Sequence, residues 1–200
     1  MRNKIWEYLT QALLIIFSVV LALALNEYRG SRLAKQELQR SLNLVKQEIE
    51  ANQYVTRQVY TQHQKIVERI DSLMQGDSLI KTIQTEFGPR FSSFTHNKSL
   101  LPRMPSKAAW EALKLKPSLA ENEFKLFQAL TATYDQQELT FEPVFEVLDL
   151  VTSYPYFREE LTKQNLYIIA AKMEESVARE NQLLSFYDQT LEILEAHLNQ

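Results

Sequence analysis

The chain is 200 residues long, 45% apolar and 24% charged, with a formal charge of −3. That balance is globular rather than disordered, and without a dense basic block it offers nucleic acid no electrostatic footprint. Cysteine is absent, which excludes disulfides, thiolate nucleophiles and cysteine-ligated metals.

From Leu9 to Leu25 the chain reads LTQALLIIFSVVLALAL, with no charge, Gly or Pro. At about 1.5 Å per residue this segment spans roughly 25 Å, close to the shortest helix that crosses a bilayer. Trp6 and Tyr8 precede it and Tyr28 follows, as aromatic belts at two interfaces would. Two other readings compete: a buried soluble helix, and a signal peptide cleaved after the small-x-small pattern Ala22-Leu23-Ala24. The apolar run continues past that pattern with no polar break, which favours a transmembrane helix. Arg2 and Lys4 on one side nearly balance Arg29, Arg32, Lys35 and Arg40 against Glu27 and Glu37 on the other. Loop charge alone therefore barely discriminates orientation. Ser18 and Ala22, four apart in the span, are small enough to let a second span approach, so a homo-oligomer is one expected assembly.

No Gly or Pro lies between Gly30 and Gly76, and none follows Pro155. The first of these stretches carries a 4-3 repeat: Leu38, Leu42, Val45, Ile49, Asn52, Thr56, Val59, His63, Ile66, Ile70 and Leu73. The second repeats it in Leu166, Ala170, Met173, Val177, Glu180, Leu184, Tyr187, Leu191, Leu194 and Leu198. A period of 3.5 residues is the seam of a supercoiled helix, and such a seam needs a partner. Residues 31–75 hold seven basic and five acidic side chains, and residues 158–200 hold four and eight. The two stretches are thus expected to pair as an antiparallel coiled-coil stalk. With their ends aligned, paired residue numbers add to about 232, which sets Asn52 opposite Glu180 as a matched polar layer.

All six prolines and twelve of the 21 aromatic residues fall between 79 and 157, so this segment is expected to form a small helical tip. Gly76 suits a helix stop. Ser106 can cap a short helix holding Trp110 and Leu113. Ser118 with Glu121 forms a capping box, and the helix after it sets Phe124, Phe127, Leu130 and Tyr134 on one face. Pro143 begins or kinks a further helix through Val147, Leu148 and Val151. The aromatic concentration reads first as a small core. Its functional reading is a contact face, for which Phe87, Phe91 and Phe94 are the candidates, since these three share no period with a neighbouring element.

The segments LIIFSVVLALALNEYRGSR (14–32), SKAAWEALK (106–114) and LTATYDQQE (130–138), with the leucine-rich helix after the first, resemble a family of uncharacterised bacterial single-pass membrane proteins, a domain of unknown function. Ala109-Trp110 followed by Tyr134 is the most distinctive part. The resemblance implies the bacterial inner membrane, an N-terminus inside and a body on the periplasmic face. It brings no activity, cofactor or catalytic residue.

No Walker, GxSxG, HExxH or GxGxxG pattern occurs, and three glycines leave little for a phosphate-cradling loop. His63 sits on the first seam, His96 in the proline-rich loop, and His197 two residues after Glu195, on a different helix face. Glu-x-x-His, the spacing of di-iron bundles, does not occur. The expected organisation is all-α: a tail (1–8), a transmembrane helix (9–28), a stalk (29–78 and 156–200) and a tip (79–155). The expected role is structural or interactive, as a scaffold or accessory subunit that meets a protein partner at a membrane, without a cofactor, a metal or enzymatic chemistry. The alternative is a ligand-sensing module with a pocket among the tip aromatics.

Overall fold

In the computed structural model the described residues are mostly α-helical, with one very small ladder and an irregular connecting segment through 98–101 and 103–107. The structure describes residues 2–76, 81, 84–85, 88–93, 95, 98–101, 103–116, 123–153 and 163–199; at 2–5, 7–10, 12, 84, 88–89 and 91 it describes the backbone alone. Helix α1 (Arg2–Met74) is 73 residues long, about 110 Å at 1.5 Å per residue. It stops just before Gly76, as expected. A two-residue ladder pairs β1 (Gln84–Thr85) with β2 (Gly88–Pro89) in antiparallel register, and a single 3₁₀ turn covers Phe91–Ser93. Four helices come next: α2 (Ala108–Lys114), α3 (Phe124–Thr140), α4 (Glu142–Thr152) and α5 (Lys163–Leu198). Pro143 lies in the first turn of α4, where its missing N–H costs no helical hydrogen bond. The expected Ser118–Glu121 capping box lies outside the described residues.

Helix α1 has two unlike halves. From Leu13 to Leu25 every described side chain is exposed, and the ten large apolar ones are each at least 48% exposed. The helix is long and apolar enough there to cross a membrane. Left in water, those ten would forfeit on the order of 10 kcal/mol of hydrophobic stabilisation. From Leu42 to Leu73 one side of the helix is buried instead. Leu42, Val45, Ile49, Asn52, Thr56, Val59, His63, Ile66, Ile70 and Leu73 are each at most 3% exposed. These are the residues the 3.5-residue repeat selected.

The partner of this seam is α5, which runs antiparallel to α1. Lys46 meets Glu195, Gln53 meets Asp188, and His63 meets Glu180. These pairs add to 241–243, so the register with ends aligned is wrong. Glu180 faces His63, eleven residues further along α1 than Asn52. The offset follows from the buried polar groups, because Asn52 has other partners to satisfy.

The separate tip is also corrected. Helices α3 and α4 do not cap the end of a two-helix stalk; they lie along it, antiparallel to α5 and parallel to α1. Thr133 meets Thr190, Gln137 meets Tyr187, Glu142 meets Arg179, and Glu146 meets Lys172, in order along α5. The buried face of α5 shows why. Besides Leu166, Ala170, Met173, Glu180, Tyr187 and Leu194 it buries Ile169, Ser176, Leu183 and Thr190. With Ala170 and the half-buried Val177, Leu184 and Leu191 beside that line, the covered face is wider than one seam, and a helix with so wide a stripe has two neighbours. Two apolar clusters result. One joins Ile66, Ile70 and Leu73 to Val144, Val147, Val151, Leu166, Ile169 and Met173. The other joins Leu42, Val45 and Ile49 to Trp110, Leu113, Leu126, Leu130, Tyr134, Phe141 and Tyr187.

Leu130 of α3 is fully buried, whereas Leu139 is 49% exposed. Leu130→Ala should cost about 2–5 kcal/mol in denaturant unfolding followed by circular dichroism, and Leu139→Ala should stay within about 0.5 kcal/mol. Equal, small effects would mean that α3 is not part of the bundle core.

Candidate functional site

The chemistry-bearing side chains of the bundle gather along its interior in three polar stations. The first is built on Glu48 of α1. Its carboxylate accepts hydrogen bonds from the backbone N–H groups of Ala109 (2.9 Å) and Trp110 (3.2 Å), from Ser106 Oγ (2.7 Å) and from the Tyr134 hydroxyl (2.8 Å). A carboxylate from a distant helix thus serves the first turn of α2, where free N–H groups and the helix dipole favour negative charge. Ser106, the residue expected to cap α2, takes a secondary part: its Oγ accepts a longer bond from the Ala108 N–H (3.3 Å) while donating to Glu48. Burial opposes ionisation of Glu48, but the donors at Ala109, Ser106, Tyr134 and Trp110 outweigh it and hold the carboxyl below its ordinary value. Tyr134 moves upward, through burial first and then through its bond to Glu48. The Trp110 and Tyr134 rings stack with centroids 5.4 Å apart and planes 5° from parallel, an arrangement worth about 0.5–1.5 kcal/mol beyond burial.

One turn further along α1, Asn52 forms the second station. Its Nδ2 donates to the Ser106 carbonyl (2.6 Å) and to Gln137 Oε1 (3.0 Å), and its Oδ1 accepts the Ser106 N–H (2.8 Å). Gln137 Oε1 also accepts the Tyr187 hydroxyl (2.7 Å). Asn52 therefore binds α1 to α3, and through Gln137 to α5, while holding the strand of chain that leads into α2.

The third station is His63 with Glu180, both fully buried. His63 Nδ1 lies 2.7 Å from Glu180 Oε1, and Nε2 lies 2.8 Å from the Leu100 carbonyl. Nε2 must carry a proton to donate to that carbonyl, and a second proton lies between Nδ1 and the carboxylate. The pair is thus neutral in sum, either as imidazolium and carboxylate or as imidazole and carboxylic acid. Burial raises the Glu180 carboxyl, opposed by the hydrogen bond and charge of His63. Among the described residues Glu180 Oε2 has no hydrogen-bond partner. The pair fastens α1, α5 and the segment around Leu100 to one another.

Asn52 and Glu180, expected to form one layer, are thus both buried polar groups but belong to different stations. Phe87, Phe94 and the side chain of Phe91 lie outside the described residues, as does His96. Ser18 Oγ donates to the Leu14 carbonyl one turn back (2.8 Å), and His197 Nδ1 lies 3.3 Å from Glu123, next to the start of α3. Among the described residues no group of three or more His, Cys, Asp or Glu is placed to hold a metal ion. Trp110, Tyr134 and Phe141 are turned into the core, while Phe124 and Phe145 stay exposed.

The outer surface carries a groove of about 730 Å³ along α1. Tyr54, Arg57, Gln58, Thr61, Gln62 and Lys65 line it, with Thr95 and Lys98 from the connecting segment. None of its described lining residues is an aromatic of the 79–157 segment.

No family model matches the chain, and no curated protein or solved structure matches it.

Two variants probe the stations. Glu48→Ala should destabilise the fold by about 2–4 kcal/mol and shift Trp110 fluorescence towards that of a solvated indole. Because the folded-state carboxyl lies below its ordinary value of 4.5, its contribution is complete above that pH and is lost as pH falls through the folded value. Glu48→Gln should flatten that acid-side loss in a pH series of unfolding curves. His63→Ala should cost about 3–5 kcal/mol by leaving Glu180 buried without its partner. His63→Leu combined with Glu180→Met should cost clearly less than that single change. A double variant as unstable as the sum of its singles would deny the pair its coupling.

Proposed function

We propose that this chain is a membrane-anchored interaction protein, a scaffold or accessory subunit of an assembly at a bacterial inner membrane. The observation that carries this reading is the division of α1. One unbroken helix is apolar and exposed over Leu13–Leu25, then becomes one side of a packed bundle from Leu42 onward. A bilayer is the solvent in which the first half loses no stabilisation, and Trp6 and Tyr28 stand at its two ends.

The interior of the bundle supports an interactive role over chemistry. Most of its buried polar groups answer one another: Glu48 serves α2, Asn52 serves Gln137 and Ser106, and His63 serves Glu180 and Leu100, while Thr56 Oγ1 and Glu180 Oε2 are without a partner among the described residues. What faces outward is a long helical surface with a groove, and such surfaces present partners with side chains at helical spacing. The resemblance carried by LIIFSVVLALALNEYRGSR and SKAAWEALK adds the orientation, with the bundle on the periplasmic side. The long antiparallel contact of α1 with α5 makes the bundle a projecting body, about 55 Å along α5.

Full-length chain should sediment with membranes and resist alkaline carbonate extraction, whereas a chain lacking residues 1–28 should be released. Recovery of the full chain in the soluble fraction would end the anchor reading. A photo-crosslinking amino acid placed in turn at exposed positions 58, 139 and 167 in native membranes should give discrete adducts with another polypeptide. Absence of adducts at all three would count against the interaction reading. Protease added to sealed spheroplasts should cleave a tag inserted after Leu115 if the body is periplasmic.

A further inference from the structure

The groove on α1 gathers positive charge with no described carboxylate in its lining. Three cations converge on it: Arg57 and Lys65, two turns apart on α1, and Lys98 from the connecting segment. Elsewhere on the bundle, Lys46, Lys107, Lys114, Lys116, Lys172 and Arg179 each lie within ion-pair distance of a carboxylate. Arg57, Lys65 and Lys98 form no such pair with a described residue, in a chain whose acids outnumber its basic residues. The neighbouring polar groups also point to an acceptor-rich ligand. Gln58 Nε2 donates to the Tyr54 hydroxyl (2.8 Å), which leaves the Tyr54 O–H proton to be donated outward.

Geometry narrows the ligand. Eight residues of helix separate Arg57 from Lys65, about 12 Å along the axis, a spacing that suits two separate anionic groups. Four residues of extended peptide cover about 13 Å. Carboxylates four apart on such a segment would therefore meet Arg57 and Lys65 together, with Lys98 across the groove from them. A lipid headgroup of the anchoring bilayer is out of reach, because Arg57 stands 32 residues, about 48 Å of helix, beyond Leu25. We propose that the Arg57–Lys65–Lys98 groove binds an acidic, extended segment of a partner protein. This rests on the interaction reading above and names the chemistry of the contact.

The test uses full-length chain in nanodiscs of zwitterionic lipid and a fluorescein-labelled octaglutamate peptide, read by anisotropy. Saturable binding is expected, weakening as salt rises. It should fall at least about tenfold in R57E/K65E/K98E and by a smaller factor in R57Q/K65Q. Lys125→Glu, a charge reversal on α3 away from the groove, should leave affinity unchanged. Circular dichroism of each variant should match the parent, since all the altered side chains are exposed. Equal affinity in the triple variant and the Lys125→Glu control would overturn the proposal, as would absence of saturable binding. Displacement of the peptide by pyrophosphate at matched charge concentration would overturn it in favour of a small phosphate ligand. Repeating the photo-crosslinking in the triple variant separates the two readings. Adducts that persist unchanged reject the groove and leave the interaction reading standing; absence of adducts in the parent chain rejects the interaction reading itself.

Discussion

The apolar seam of α1 between Leu42 and Leu73 has to be kept from water along its whole length, and most of the fold follows from how that is done. One antiparallel helix covers part of it, and α2, α3 and α4 cover the rest. The seam is not uniformly apolar. Asn52, Thr56 and His63 interrupt it, and a buried amide or imidazole must find partners or cost about 1–3 kcal/mol. These interruptions choose the alignment. An apolar seam tolerates sliding by a heptad, but His63 fits only where Glu180 and the Leu100 carbonyl flank it. Asn52 fits only where Gln137 and Ser106 do.

The same logic separates what could be read in the residues from what could not. On α1 the 3.5-residue repeat picked the buried positions from Leu42 to Leu73, because that side meets its neighbours along one stripe. On α5 the repeat found Leu166, Met173, Glu180, Tyr187 and Leu194 but passed over Ile169, Ser176, Leu183 and Thr190. Those four alternate with the found residues at 3-4 spacing, whereas the 4-3 line set the alternate positions one residue later, at Ala170, Val177, Leu184 and Leu191, of which only Ala170 is fully covered. The register failed for a related reason. Matching Asn52 to Glu180 assumed that polar seam residues answer one another within two helices, whereas a third helix supplied Gln137. The boundary at Gly76 and the start at Pro143 were legible because backbone chemistry acts within one or two residues.

Glu48 was the least legible residue of all. In the chain it is one acid among many on a helix surface, and its four partners lie 58 to 86 residues away. No local pattern announces a carboxylate that serves another helix. The proximity of Trp110 and Tyr134 is different: the pair stood out in the sequence without a contact to explain it. The structure supplies that contact, as two stacked rings over the Glu48 station.

Between Leu25 and Glu37 α1 runs as bare helix, with no other described element packed on it until Lys116 comes within ion-pair distance of Glu37. Continuous helix couples its two ends in azimuth as well as in height. Each residue in this neck rotates the bundle by about 100° relative to the apolar half and lifts it by about 1.5 Å. The compass bearing of the groove is therefore tied to whichever flank of the apolar half faces a neighbour. Adding or deleting a single residue here would swing the whole bundle more than a quarter turn while leaving every contact inside it intact.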